Sequence, residues 1–293
     1  MKKILTVLLL LACTGPLVRA QSTVIATFND LIVGFRATNS ANGAGTDRNL
    51  EINLGNVGQF YGLPANTTVT LGNLGADLAD VYDLIWNERS DLTWGLAGTT
   101  GAAQGTTIKG NAIAASTLWG SRTETTAGIQ SVPWNQGASE FSQQGAANKI
   151  ATLYVDATGS LNGKPSTANS TNAAVIDSSL TGSWSKQEGT TASAFTFFNP
   201  KSQFERSTNF SAIVGSFAVL DLYEVQPLGG PGTYIGSFAL NSAGLLQFSN
   251  SPAAFGLSAI PEPSACAALL GVAMLGLAVF RRRAAGCAAG LVA

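Results

Sequence analysis

Histidine is absent from the 293 residues, cysteine occurs only three times, and charged side chains make up 11% of the chain. Without imidazole there is no histidine metal ligand, no Ser-His-Asp or Cys-His catalysis, and no histidine-based pH switch. The net charge of −1 leaves no basic surplus of the kind that nucleic-acid binders carry. Globular domains are ordinarily about a quarter charged. Here small neutral polar residues and 33 glycines stand in that place. Cys13, Cys266 and Cys287 all lie near the two ends. The long stretch between them therefore has no disulfide to staple it and must rely on an apolar core, which a region of this size can build.

What is present is most distinctive at the ends. Met1-Lys2-Lys3 is a short basic segment, Ile4 to Leu11 is almost unbroken apolar sequence, and Val18-Arg19-Ala20 places small residues ahead of Gln21. That order is the layout of a secretory signal peptide, with signal peptidase cutting between Ala20 and Gln21. Lipoprotein processing at Leu10-Leu11-Ala12-Cys13 fits less well, because leucine directly precedes the small residue. At the other end Ser264 to Phe280 is 17 residues without a charge, followed at once by Arg281-Arg282-Arg283. At ~1.5 Å per residue such a helix reaches about 26 Å, short for a bilayer but extendable by snorkelling arginines. The arginine cluster predicts a cytoplasmic end at the membrane stop, the same orientation that an exported N-terminus requires.

Ile260-Pro261-Glu262-Pro263-Ser264 stands directly before this apolar segment. Two prolines around a glutamate forbid helix and hold the backbone extended, a form that a processing enzyme can read. The order Pro261-Glu262-Pro263, short apolar helix, Arg281-Arg282-Arg283 resembles the PEP-CTERM sorting signal of Gram-negative bacteria. The resemblance implies that an exosortase is a partner, that the tail is removed from an inner-membrane-anchored precursor, and that the protein passes to the cell surface or extracellular matrix. It also implies a cysteine-poor exported region. The tail runs ten residues past Arg283, from 284 to 293, further than such signals usually do. The resulting organisation is a signal peptide over 1–20, an exported domain over 21–259, the sorting signal over 260–283 and a short cytoplasmic tail. Asp30 to Ala37, Gly72 to Leu78 and Ser90 to Gly95 are similar to segments common in uncharacterised proteins of this group, without a known activity attached.

Between the signals, 10 basic and 16 acidic residues give a net charge of −6. Period-two alternation dominates: Leu50, Ile52 and Leu54 point inward between Glu51 and Asn53. Leu31–Arg36, Leu92–Leu96, Ile150–Val155 and Ala194–Phe198 have strand composition, and Ile213–Val225 reads as a long strand apolar on both faces. Thr233–Leu240 and Leu245–Phe248 predict a hairpin over Asn241–Gly244. The spacing of Leu78, Val81, Tyr82 and Ile85 predicts one helix near 74–87, with Asn73 as N-cap. The fold expected from these elements is all-β, a β-sandwich of jelly-roll type with about ten strands and one short helix. Leu54-Gly55-Asn56-Val57-Gly58 and Leu71-Gly72-Asn73-Leu74-Gly75 recur 17 residues apart and predict two tight turns of like chemistry.

Motifs for catalysis are not evident. Asp77, Asp80 and Asp83 have the spacing of a solvated helix rather than of a calcium loop, so no metal is assigned. No Gly-x-Ser-x-Gly elbow occurs, and nothing singles out a carboxylate pair for glycoside hydrolysis among the acids. Trp86 and Trp94 read as core, whereas Trp134, in Val132-Pro133-Trp134-Asn135-Gln136-Gly137, reads as an exposed aromatic and is the candidate ligand contact. The expectation is a non-catalytic, exported surface or matrix protein without cofactor or nucleic-acid partner, with extracellular polysaccharide as a candidate contact. The alternative is a carbohydrate-active protein, either a lectin-like module or a carboxylate-based glycosidase.

Overall fold

The computed structural model describes residues 26–135, 140–157, 164–165, 172–188, 194–213 and 217–255. Among these residues the chain forms strands β1 (Asp30–Ala37), β2 (Arg48–Asn56), β3 (Thr68–Asn73), β4 (Leu92–Thr99), β5 (Thr106–Ile108), β6 (Asn111–Ile113) and β7 (Leu118–Thr123). They continue with β8 (Lys164–Pro165), β9 (Ala173–Asp177), β10 (Arg206–Ser207), β11 (Phe217–Val225), β12 (Thr233–Asn241) and β13 (Leu245–Ser249). Helices α1 (Gly75–Tyr82), α2 (Glu140–Ala157) and α3 (Trp184–Glu188) accompany them.

Eleven strands make one antiparallel sheet in the order β3-β13-β12-β11-β7-β4-β1-β2-β9-β8, with β10 added to β4; β5 and β6 form a separate hairpin. The expected sandwich of two sheets is therefore replaced by a single open sheet that curls into a half-barrel. Leu54 of β2, Leu71 of β3 and Leu246 of β13 pack in one apolar cluster although β2 and β3 lie near opposite ends of the strand order. Register shifts between Asp30 and Ile32, Leu222 and Tyr223, and Leu246 and Gln247 supply bends of the kind bulges produce. Inward-outward alternation is the same for a sandwich and for a curled sheet, so the strand pattern alone did not separate them.

The predicted strands at 31–36, 50–54, 92–96 and the closing hairpin are all present. In the hairpin the Asn241 side chain accepts from the Ala243 and Leu245 amides, and Gly244 takes a left-handed φ of 84°. The predicted helix is shorter, 75–82. Asp83, at φ 71°, ends it, and a separate 3-10 turn covers Trp86–Glu88. Leu74 occupies the cap position, while Asn73 Oδ1 accepts from the Gly75 amide at 2.9 Å. Asn56 Oδ1 accepts from the Gly58 amide at 2.8 Å in the same way, so the two recurring segments share their turn chemistry.

Two expected strands are corrected. Residues 150–155 lie within α2, and 194–197 form a 3-10 turn. In α2, Gln143, Ala146, Ala147, Ile150, Leu153 and Tyr154 are all buried. Their spacing is helical, but two of them are alanines, and that weakens the apolar stripe in sequence.

Both faces of the sheet are covered. The inner face carries Leu31, Val33, Phe35, Leu50, Ile52, Trp94, Leu96, Trp119, Leu220, Leu222, Phe238 and Phe248, closed by α1, Phe60 and Trp86. The outer face combines glycines and polar residues with Ile32, Leu118, Ile176, Tyr223 and Val225, and an aromatic layer packs against it. Gly34 and Gly95 pair across β1 and β4, and a β-carbon on Gly34 would meet the Trp184 ring at 2.0 Å. Gly120 receives Phe198 in the same manner, with 2.3 Å to a hypothetical β-carbon. Trp184, Phe195, Phe204, Phe198 and Trp134 continue as neighbours, with ring centroids 4.3–5.4 Å apart along that sequence. Gly34→Ala is expected to destabilise the protein by about 1–3 kcal/mol, because the added methyl group overpacks this slot. Urea unfolding monitored by tryptophan fluorescence measures the loss.

Candidate functional site

The residues of the two processing signals, Ala20, Gln21, Pro261, Glu262, Pro263, Arg281, Arg282 and Arg283, lie outside the described residues, as does the apolar segment 264–280. Among the described residues no helix is long and apolar enough to cross a membrane.

Trp134 is described, and it is not the exposed aromatic that its loop sequence suggested. Only 2% of it is accessible. Its ring packs on Phe198 at 5.4 Å, and the Arg122 guanidinium lies over it at 4.4 Å. The loop is fixed on both sides, since Arg122 donates to Pro133 O at 3.1 Å and the Gly232 amide donates to Trp134 O at 2.6 Å. A large aromatic flanked by polar residues is buried when its neighbours are anchored through the backbone, and that anchoring leaves no period in the sequence. Trp86 and Trp94 are buried as expected. The three aspartates of the α1 region do not converge: Asp77 is buried, whereas Asp80 and Asp83 are exposed, with Asp83 accepting from the Ala44 amide. Among the described residues no group of three metal-ligating side chains comes together.

What the structure does assemble is a cleft of about 550 Å³ at the margin of the inner face. Phe60, Leu63, Ile113 and Ile235 supply its apolar lining, and Tyr61, Asn111, Glu224, Gln226 and Thr233 supply polar groups. Glu224 is 5% exposed and shares the inner face of β11 with Leu220 and Leu222. The Tyr61 hydroxyl donates to Glu224 Oε2 in a short hydrogen bond, and Gln226 Nε2 donates to Oε1 at 2.5 Å. Trp119 Nε1 in turn donates to the Tyr61 hydroxyl at 2.7 Å. Burial, and next the Glu224 bond, push the Tyr61 phenol far above its ordinary range, so it stays protonated and remains a donor. A chain of donors thus runs from indole to phenol to carboxylate and fixes the orientation of Glu224.

A second polar group lies on the outer face. Asp221 accepts from the Ser237 hydroxyl and from the Ser131 amide, each at 2.5 Å. Burial pushes its carboxyl up, and those hydrogen bonds oppose the shift. Glu124, 4% exposed just past β7, has its Oε1 buried without a hydrogen-bond partner. Burial first, and the Asp221 charge second, raise it to about 7, against the opposing backbone amides of Ile129 and Gly128. The Arg206 charge also opposes the rise, although its guanidinium donates to the carbonyls of Glu124 and Val219 rather than to the carboxylate. Neither cleft nor acid pair was read from sequence. The available signal was an acid inside an otherwise apolar strand, at Asp221 and Glu224.

The raised Glu124 has a defined consequence for stability. Its folded-state pKa lies above its unfolded value, so the folded chain holds the proton more tightly. The contribution of this group to stability is full near and below pH 4.5, falls as pH rises toward about 7, and levels off above that. Urea unfolding at pH 5 and pH 8 is expected to show a loss of about 2 kcal/mol over this interval. Glu124→Gln should flatten the dependence, leaving only the part that Asp221 contributes in the same direction.

Comparison with known proteins adds one finding. A family described as the PEP-CTERM protein-sorting motif matches residues 259–283. No curated protein and no solved structure matches the chain. The matched span begins one residue before the boundary read from sequence and contains Pro261, Glu262, Pro263 and all three arginines. The chain therefore carries a PEP-CTERM protein-sorting motif over residues 259–283, the mark of an exosortase-processed exported protein.

Proposed function

We propose that the protein is a non-catalytic component of the cell surface or extracellular matrix of a Gram-negative bacterium. Signal peptidase cuts after Ala20, the apolar segment 264–280 holds the precursor in the inner membrane, and an exosortase cuts near Pro261-Glu262-Pro263. The match over residues 259–283 is the observation that carries this reading. Three further features support it. Pro261 and Pro263 are residues that disfavour helix and favour the extended backbone a processing enzyme requires of its substrate. Arg281-Arg282-Arg283 sets the orientation that would leave the domain outside the cytoplasm. Low charge and abundant small polar residues give the domain a hydrated, hydrogen-bonding exterior suited to a polysaccharide-rich surrounding.

Intact-mass analysis of protein recovered from the envelope and medium of the native host tests the proposal. The expected species begins at Gln21 and ends within residues 261–264. Glu262→Ala is expected to leave the tail attached and the protein in the membrane fraction. Retention of residues 264–293 in all of the wild-type material would overturn the processing step.

A further inference from the structure

We propose that the cleft around Glu224 is a binding site for a neutral oligosaccharide. The chemistry of its lining selects that class. No lysine or arginine lines it among the described residues, so an anionic ligand would find no partner of opposite charge. Glu224 is its one carboxylate, held by the Tyr61 hydroxyl on one oxygen and the Gln226 amide on the other. Each carboxylate oxygen has two lone pairs, so one acceptor position per oxygen is left for a ligand donor. Sugar hydroxyls are such donors, and they also accept.

The rest of the lining matches. Asn111 and Thr233 are exposed beside the carboxylate and offer groups that both donate and accept. Leu63, Tyr234 and Ile235, each partly exposed, supply the apolar surface that the C–H face of a sugar ring covers. The volume of about 550 Å³ falls within the range of roughly 300–1,000 Å³ found for small-molecule sites. The Trp119-Tyr61-Glu224 chain fixes the carboxylate before any ligand arrives, so little conformational freedom is lost on binding. A single carboxylate makes this a site for holding a glycan. Hydrolysis in the common mechanism takes two.

This assignment is independent of the sorting signal, and its failure would leave the mass of the processed protein unchanged. The test is titration of the full chain with a panel of neutral di- to tetrasaccharides, followed by saturation-transfer NMR and calorimetry. At least one member is expected to bind. Glu224→Gln should weaken it at least about tenfold by removing a charge-assisted hydrogen bond. Thr233→Trp, at an exposed position on the cleft wall, should block it without disturbing the core. Leu84→Ser, at a site exposed elsewhere, should leave it unchanged. Absence of binding across the panel would overturn the proposal, as would binding that survives both cleft variants. Preference for a primary amine over every sugar would overturn the ligand class.

Discussion

The structure depends on covering the second face of its sheet. A sheet with one buried face can leave the other to solvent, and the polar alternation of β2 would permit that. Here the outer residues Asn49, Glu51 and Asn53 are buried as well. Burying polar side chains costs stability unless each finds a partner. For Asn49 and Glu51 the partners come from α3, laid over that face, while Asn53 donates to Asp30 of β1 at 2.9 Å. Glu51 Oε1 accepts the Trp184 amide at 2.7 Å at the start of α3, and Asn49 exchanges hydrogen bonds with Ser185. Asn49 and Glu51 of β2 therefore serve as the docking site of α3.

The same constraint explains the glycines and the ion pairs on that face. Trp184 can lie flat on β1 and β4 only where Gly34 and Gly95 leave room. Its indole N–H then reaches Glu205 at 2.7 Å, and Glu205 is held in turn by Arg36, whose Nη2 approaches Oε2 at 2.6 Å. Glu188 joins through Arg36 and Lys201, at 3.2 and 3.0 Å. Arg36 is held above its ordinary range. Burial acts against that shift, but the hydrogen bond and charge of Glu205 and the charge of Glu188 outweigh it. Removing one member would strand a buried charge, which is costly. A buried network of this kind is weak evidence for net stability, and its geometry holds the Trp184 indole in place through Glu205.

These facts divide what the sequence made legible from what it did not. Leu50 and Ile52 were readable because inner-face apolar positions repeat every second residue, and both are buried. The Asn56 and Asn73 turns were readable because an asparagine side chain bonds an amide two residues on, a purely local event. Helix α2 was missed because its buried stripe is carried partly by alanine, and Ile150–Val155 alone has strand composition. The sandwich was expected because local alternation does not record which strand lies beside which. Trp134 was misplaced because its burial comes from distant partners, Arg122, Phe198 and Gly232, none of them near it in sequence. Of the cleft, only the presence of Glu224 in an apolar strand was available, and Tyr61 lies 163 residues away from it.

The division also separates two physical problems that the chain solves by different means. The sorting signal is read by order alone: two prolines around a glutamate, an apolar segment, then charge, each recognisable without a fold. A scan of linear sequence therefore finds it. The domain has no such economy. Lacking cysteine between residues 13 and 266, it must specify its structure through buried hydrogen bonds and close packing, and those depend on pairs far apart in the chain. Tyr82 shows the principle: its buried hydroxyl accepts from the Leu50 amide at 3.0 Å and donates to Phe35 O at 2.6 Å, joining α1 to two strands at once. Burial pushes this phenol far above its ordinary range and so keeps its donor proton in place.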